Sequence, residues 1–396
     1  MITREIKGEL LESSKEYPVV TILGPRQSGK TTLAGMTFPD YHYYSLEDPD
    51  ILYRVQSDPR GFFNGLKKGT ILDEIQNAPE LLSYIQGIVD NMNENGRFIL
   101  TGSHQLNLHE AITQSLAGRT AILSLLPFSM DEISVYNKEY NAFDLIFRGG
   151  FPRVYDKKLN VKRFFGNYIQ TYIERDIRRM INLKNLTSFQ AFLRILAGRI
   201  GQLLNYKSLS NDIGVSETTI KQWISILKAS YVVFELPPFY ENIKKRVRKS
   251  SKIYFSDTGL VSYLLGINTS EQVFRDPLRG NLYENMVIME IVKYFSNHGI
   301  SPELFFYRDS NNVEVDLLIK NGRKILPIEI KSSSTFSEKF INSLAKFKKV
   351  SERYDTKNGL VLCNIDKVFE FKDSLYMNIL NDRAELFRII KKDFFR

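Results

Sequence analysis

Three groups of residues in this chain have types and spacing suited to phosphate-ester chemistry. The first is Gly24-Pro25-Arg26-Gln27-Ser28-Gly29-Lys30-Thr31-Thr32, directly after the apolar run Val19-Val20-Thr21-Ile22-Leu23. Its spacing, G-x-x-x-x-G-K-[ST], is that of a P-loop. Such a loop turns backbone N–H groups onto phosphate oxygens, and glycine permits the positive φ values and close approach this needs. A helix opening near Lys30 adds its positive end. Lys30 is expected to reach the β- and γ-phosphates, and the Thr31 hydroxyl to bind Mg²⁺.

The second group is Thr70-Ile71-Leu72-Asp73-Glu74-Ile75-Gln76, with Asp73 lying 43 residues beyond Lys30. It reads as a short strand ending in two carboxylates, the form of a Walker B site. Asp73 is expected to hold Mg²⁺ through water beside Thr31, and Glu74 to orient or deprotonate the attacking water. The second carboxylate favours hydrolysis over simple nucleotide binding. The third group is Asp316 with Glu329-Ile330-Lys331. In strands, period-2 geometry puts Glu329 and Lys331 on one face, with Asp316 beside Glu329 if the strands are adjacent. Two carboxylates and a lysine so placed suit Mg²⁺-assisted attack of water on a phosphodiester.

These groups need elements to hold them. Around the first two, strands are expected at residues 41–46, 97–103 and 120–126, giving an alternating α/β pattern. Thr101 and Ser103 end a strand where such sheets bind ligands, so either is a candidate for the γ-phosphate or the lytic water. Glu47, Asp48 and Asp50 read as helix-capping or solvated acids. An amphipathic stretch over 108–116 leads to Gly118 and Arg119. Arg119 reads either as an arginine finger, in cis or from a neighbouring subunit, or as a solvated residue after a glycine-capped helix.

The strings Gly24–Thr32, Leu72-Asp73-Glu74-Ile75-Gln76 and Leu100-Thr101-Gly102-Ser103 resemble the AAA-type ATPases of bacteria and archaea that carry a C-terminal DUF4143 domain. The resemblance implies a P-loop core of the AAA+/STAND-like ASCE division with a catalytic glutamate beside the Walker B aspartate. By position it supports Lys30, Thr31, Asp73, Glu74 and Ser103 (sensor 1), and it reaches Arg119. It also implies a C-terminal region related to the PD-(D/E)-x-K nuclease fold.

Beyond Arg148-Gly149-Gly150-Phe151-Pro152, a long connecting helix is expected over 161–183. Residues 205–228 have helix-turn-helix form: Leu209, Ile213, Val215, Ile220, Ile224 and Leu227 are the apolar positions, Gly214 the turn and Ser216 the cap. A strand at 231–236, the basic stretch 244–249 and a strand at 252–256 complete a winged helix, a unit that docks on DNA or on protein. A helix over 279–295, with Asn281 as N-cap, aims Glu284 inward. Strands at 303–307, 312–319 and 324–332, a helix at 337–350 and a closing strand at 360–364 follow. That order, α-β-β-β-α-β, resembles the PD-(D/E)-x-K nuclease core, and the resemblance implies that Glu284 completes the Asp316, Glu329 and Lys331 set.

The expected fold is therefore α/β: a P-loop ATPase domain (1–140), a helical lid or connector (141–200), a winged helix-turn-helix (201–265) and a restriction-endonuclease-like domain (266–396). Length supports this, since 396 residues exceed one ordinary core. Net charge is +9, which favours a polyanionic partner, DNA here. The single Cys363 excludes a disulfide framework and a Cys-rich zinc site, and reads as a buried thiol. The chain shows no secretory signal or membrane-spanning run, which predicts a cytoplasmic location. The sequence thus points to an ATP- and Mg²⁺-dependent ATPase controlling action on DNA, as a monomer or homo-oligomer. A regulatory ATPase with a chemically silent C-terminal domain, or a small-molecule P-loop kinase, are the alternatives.

Overall fold

A computed structural model of the chain describes residues 2–66, 69–92, 94–103, 112, 114–173, 186–240, 250–311 and 313–394. Strands β1 (Val19–Leu23), β2 (His42–Ser45), β3 (Thr70–Asp73), β4 (Phe98–Gly102) and β5 (Thr120–Ser124) form one sheet in the order β2-β3-β4-β1-β5. Every pairing is parallel. Strands β1, β3 and β4 are buried along their whole length, as a parallel sheet covered on both faces requires. Their side chains alternate. Val19, Leu23, Leu72 and Leu100 pack with Leu81, Leu82 and Ile85 on one face. Val20, Ile22, Ile71 and Ile99 pack with Ile6, Leu10, Leu33 and Ala34 on the other. Because β4 lies between β1 and β3, the P-loop and the Asp73-Glu74 tip flank the end of β4 that carries Thr101 and Ser103.

Within the stretch read as a helix-turn-helix, two helices form with the turn and cap at the expected residues. Helix Tyr206–Ile213 ends at Gly214 with φ +75°, a left-handed value at which glycine pays no steric cost, and Ser216 caps helix Glu217–Ala229 by accepting from the Thr219 N–H. Strands β6 (Val233–Leu236) and β7 (Lys252–Phe255) pair antiparallel beside it. The basic stretch 244–249 lies outside the described residues.

Seven strands build the second large sheet: β8 (Glu303–Arg308), β9 (Glu314–Asn321), β10 (Lys324–Lys331), β11 (Asp355–Thr356), β12 (Gly359–Cys363), β13 (Phe369–Phe371) and β14 (Ser374–Met377). The order is β13-β14-β12-β10-β9-β8, with β11 on β10. β8, β9 and β10 form an antiparallel meander, while β10, β12 and β14 run parallel. Helix Arg279–Asn297 covers one face and helix Asn342–Val350 the other. Cys363 is buried among Val361, Val315 and Leu344, and burial pushes its thiol up to about 11.

Three expectations change, and the reading of Asp48 as a helix cap holds. The helix from Val161 is α-helical only to Tyr168 and continues as a π-helical turn over Ile169–Ile173; residues 174–185 lie outside the described set. Asn281 is not an N-cap. The helix starts at Arg279, so Asn281 lies inside its first turn, and its amide donates instead to the Ile200 carbonyl at 3.0 Å. Strand β12 does not close the last unit, because hairpin β13-β14 and helix Arg383–Phe394 follow it. Asp48 takes the capping role, accepting from the Asp50 and Ile51 N–H groups.

The connector, the helix-turn-helix and the second sheet share one apolar cluster running from Leu126 to Phe394. Fully buried Glu290, on the long helix, ties this body to the segment leaving the first sheet by accepting from the Met130 N–H at 2.7 Å. Burial pushes its carboxyl up to about 7 from 4.5, against the pull of Lys293. Below about pH 4.5 the group is protonated folded or unfolded, and its contribution is complete. As pH rises through about 7 that contribution is lost, because only the unfolded chain ionises it early. At about 1.4 kcal/mol per pH unit, the loss is on the order of 3 kcal/mol. Glu290→Gln, which keeps an acceptor for Met130, should flatten urea-unfolding stability between about pH 5 and pH 8.

Candidate functional site

The P-loop connects β1 to helix Lys30–Thr37. Two glycines are needed there. Gly29 has φ +95°, and a Cβ on Gly24 would stand 2.1 Å from the Leu125 carbonyl oxygen. Lys30 is 5% exposed, and its ammonium donates to the carbonyls of Gly24 (3.0 Å) and Pro25 (2.9 Å), folded over its own loop. Arg26 is buried and pairs with Glu47 at 3.3 Å.

Asp73 gathers three hydroxyls. Thr31 donates to its Oδ1 at 2.8 Å, Tyr43 donates to Oδ2 at 2.9 Å, and Thr101 donates to Oδ1. A hydroxyl and a carboxylate thus meet beside the phosphate loop, a hard oxygen set that fits Mg²⁺. Tyr43, on β2, escaped the sequence reading; the signal available was its alternation with Ser45, which pairs with Asp73.

Glu74 has φ +58°, an unusual value for a non-glycine residue that turns its carboxylate away from the strand. Its Oε2 accepts from Ser103 Oγ at 3.1 Å and from the Gln76 amide, which also reaches Ser103 at 3.3 Å. Burial would raise its pKa, but Lys30, Gln76, Arg26 and Ser103 together hold it below the usual value. Glu74 is therefore held in its carboxylate form beside Lys30 of the phosphate loop.

A cavity of about 350 Å³ adjoins the loop and is lined by Ile2, Arg4, Ser28, Thr32, Met36 and Phe128 among others. Arg4 fastens this region. It is buried and donates to Glu132 (2.7 Å) and to the carbonyls of Ser28 (2.7 Å) and Leu126 (2.8 Å).

Arg119 does not join this site in its own chain. It precedes Thr120, which pairs with Val19 at the start of β1, whereas the P-loop follows the other end. Five residues of strand, roughly 15 Å, separate the two. Its guanidinium grips Asp90 at 2.5 and 2.9 Å. Arg119→Ala should change the ATPase rate per chain less than about twofold in dilute protein. A rate that climbs with concentration in the wild type and stays flat in the variant would assign the residue to a neighbouring subunit.

The second sheet brings Glu284, Asp316, Glu329 and Lys331 together. Asp316 Oδ2 accepts from the Ile330 N–H at 2.8 Å and from Lys331 at 3.2 Å, and Lys331 also lies 2.6 Å from Glu329. Burial, then Asp316, raises the pKa of Glu284 and of Glu329. Lys252 and Tyr254, from β7, both contact Glu284. Neither residue sits in a recognisable string, and only tertiary packing delivers them. Among the described residues no group of three or more His, Cys, Asp or Glu side chains is arranged to hold a metal. The expected Mg²⁺ pair Asp316 and Glu329 is bridged by an ammonium instead.

Fold and site define an AAA-type P-loop protein. Residues 16–134 match the AAA domain family, residues 140–271 a domain of unknown function (DUF8612) and residues 279–381 a domain of unknown function (DUF4143). The chain is 30% identical over 338 residues to the uncharacterized proteins Rv2008c of Mycobacterium tuberculosis and Mb2031c of Mycobacterium bovis, spanning 84% of this chain and 74% of each. It is 24% identical over 405 residues to the uncharacterized protein MJ1637 of Methanocaldococcus jannaschii, spanning 88% and 82%. A solved structure, the Walker-type ATPase PABY2304 of Pyrococcus abyssi, aligns at 17% identity and a TM-score of 0.45, over 66% of this chain and 95% of that one. The chain belongs to the family of AAA-type P-loop ATPases with a C-terminal DUF4143 domain. No helix among the described residues is long and apolar enough to cross a membrane.

Proposed function

We propose that this chain is a Mg²⁺-dependent ATP hydrolase whose nucleotide state controls the helix-turn-helix and the C-terminal sheet, and that it acts on DNA. The observation that carries the hydrolase reading is the pair of networks on adjacent residues: Asp73 with Thr31 and Thr101, and Glu74 with Ser103 and Gln76. The residues from Gly24 to Thr32 bind the phosphates, with Lys30 released from its carbonyls to the β- and γ-oxygens. Thr31 and Asp73 hold Mg²⁺, which neutralises phosphate charge when bound. Glu74 orients the attacking water and accepts its proton, and Ser103 holds Glu74 in place. The cavity beside Thr32 and Arg4 takes the base and ribose.

Support for DNA comes from two features. Helix Glu217–Ala229 leaves Thr218, Lys221, Gln222 and Ser225 exposed in register, a surface suited to groove contacts. The second sheet has the α-β-β-β-α-β order of PD-(D/E)-x-K nucleases, with Asp316, Glu329 and Lys331 converging. ATPase and cleavage assays with and without single- and double-stranded DNA test the reading. Asp316→Ala should abolish cleavage and leave ATP hydrolysis intact. A second reading, a regulatory ATPase that binds DNA or protein without cutting, is favoured by the two lysines that already neutralise the acids. DNA-stimulated ATPase without cleavage in Mg²⁺ or Mn²⁺ selects it.

A further inference from the structure

A cavity of about 820 Å³ opens where the helix-turn-helix unit meets the second sheet. Among the described residues its walls are largely aromatic. Phe239 and Tyr240 follow β6, Phe306 and Tyr307 lie on β8, and Phe347 and Tyr354 come from helix Asn342–Val350 and the turn after it. β8 is an edge strand, so its consecutive residues Phe306, Tyr307 and Arg308 all reach the cavity. Backbone pairing fixes the walls. The Phe239 N–H donates to the Phe306 carbonyl at 2.7 Å, and the Phe306 N–H donates to the Pro237 carbonyl at 3.0 Å. Phe239, Phe306 and Phe347 are buried, whereas Tyr307 and Tyr354 are half-buried. Tyr307 meets Phe347 at 62° and Tyr354 meets Phe239 at 71°, edge to face and not stacked. Tyrosines braced in this way offer rigid aromatic surface that loses little entropy on binding.

The charges around the cavity point to an anionic occupant. Arg308 has a side chain 43% exposed, and its Nε comes no nearer than 3.7 Å to Glu314. Asp309, the acid among the described lining residues, already accepts from the Asn311 and Val313 N–H groups at 2.8 and 2.9 Å. Val350 also lines the cavity, and exposed Lys346 stands one helical turn before it. In sequence the stretch 244–249, cationic at every position but Val247, runs between two lining residues, Tyr240 and Ser250. Aromatic surface flanked by positive charge suits an unpaired base on a phosphate backbone, because every base has a π-face. A base inside a duplex has both faces covered by its neighbours, so only an unpaired strand gains from such walls. The volume lies within the roughly 300–1,000 Å³ of clefts that enclose a ligand of nucleotide size.

We propose that this cavity binds unpaired nucleotides of single-stranded DNA, with bases stacked on Tyr307 and Tyr354 and phosphates held by Arg308 and Lys346. This rests on the reading that the chain acts on DNA. It adds that the strand is held unpaired, at the seam between the helix-turn-helix unit and the second sheet. Stacking tolerates any base, so the site selects a strand for being single and not for its sequence.

Fluorescence anisotropy of the full chain tests the site with a labelled oligothymidine, the same strand made abasic, and a duplex of equal length. The intact strand should bind about tenfold or more tighter than the abasic one. Tyr307→Leu with Tyr354→Leu keeps apolar bulk without a π-face, and should bring the intact strand to about the abasic level while leaving duplex affinity within about twofold. Arg308→Ala should lower the slope of log affinity against log salt by about 0.7 for the single strand. Equal affinity for intact and abasic strands, or for wild type and the leucine variant, overturns the site, while duplex binding keeps the DNA reading standing. Binding to none of the three overturns both. Should the leucine variant fail to fold, photo-crosslinking of the wild-type chain to a 5-iododeoxyuridine strand decides. Crosslinks on Tyr307 or Tyr354 support the site, and crosslinks confined to helix Glu217–Ala229 overturn it.

Discussion

Glu74→Gln should lower ATP turnover by about 10³-fold while holding ATP affinity within about twofold of wild type. Proton acceptance by a positioned side chain contributes roughly 10²- to 10⁴-fold, and the upper half of that range suits a base this constrained. Three features constrain it. The left-handed backbone at Glu74 aims the carboxylate off the strand, Ser103 and Gln76 hold Oε2, and Lys30 keeps the group ionised despite burial. Glutamine preserves size and shape but accepts no proton. Binding survives because the phosphates are held by the P-loop backbone and Lys30, which the substitution leaves alone. Phosphate release under saturating ATP gives the turnover, and a fluorescent nucleotide gives the affinity. Unchanged turnover would remove Glu74 from the chemistry.

Arg4→Met should destabilise the chain by about 3 kcal/mol and weaken ATP binding. Arg4 is 7% exposed, and its partner Glu132 has a side chain 2% exposed, so the pair is dry. Breaking such a pair from one side costs about 3–5 kcal/mol, because a buried charge is left behind. The lower figure applies here. Glu132 also accepts from the N–H groups of Glu5 (2.8 Å) and Ser129 (3.0 Å), which keep part of its solvation. The same guanidinium stacks 4.8 Å from the Phe128 ring and donates to the Ser28 carbonyl inside the P-loop. Its loss therefore loosens the phosphate loop as well as the fold. Urea unfolding reads the first effect and nucleotide titration the second. A stability change under about 1 kcal/mol would show that the pair is replaceable.

Much of the local structure was legible in the amino acids. The P-loop follows from glycine spacing, because only glycine tolerates the φ of Gly29 and the crowding of Gly24 against Leu125. Strand positions follow from apolar runs, and the turn at Gly214 with its Ser216 cap follows from residue type. Even the gathering of Asp316 with Glu329 and Lys331 follows, since period 2 and an adjacent antiparallel strand suffice.

What tertiary structure decided was pairing between distant segments. Arg119 is near the phosphate loop in composition and at the wrong end of the sheet in space, because parallel register aligns Thr120 with Val19. Tyr43 and Thr101 reach Asp73 only because β3 lies between β2 and β4. Arg4 clamps Ser28 and Glu132 across long stretches of chain, and Lys252 enters an acid cluster whose members begin at Glu284. A motif records which atoms a short segment can present. Which buried charge meets which is set by strand order and by the cost of leaving either charge unpaired. The amino acids alone therefore determined a P-loop motif, a strand ending in two carboxylates and an acidic set far downstream. The fold determined that Glu284 meets Lys252 of β7 while Lys331 meets Asp316 and Glu329, since each buried carboxylate needs a charge or donor beside it.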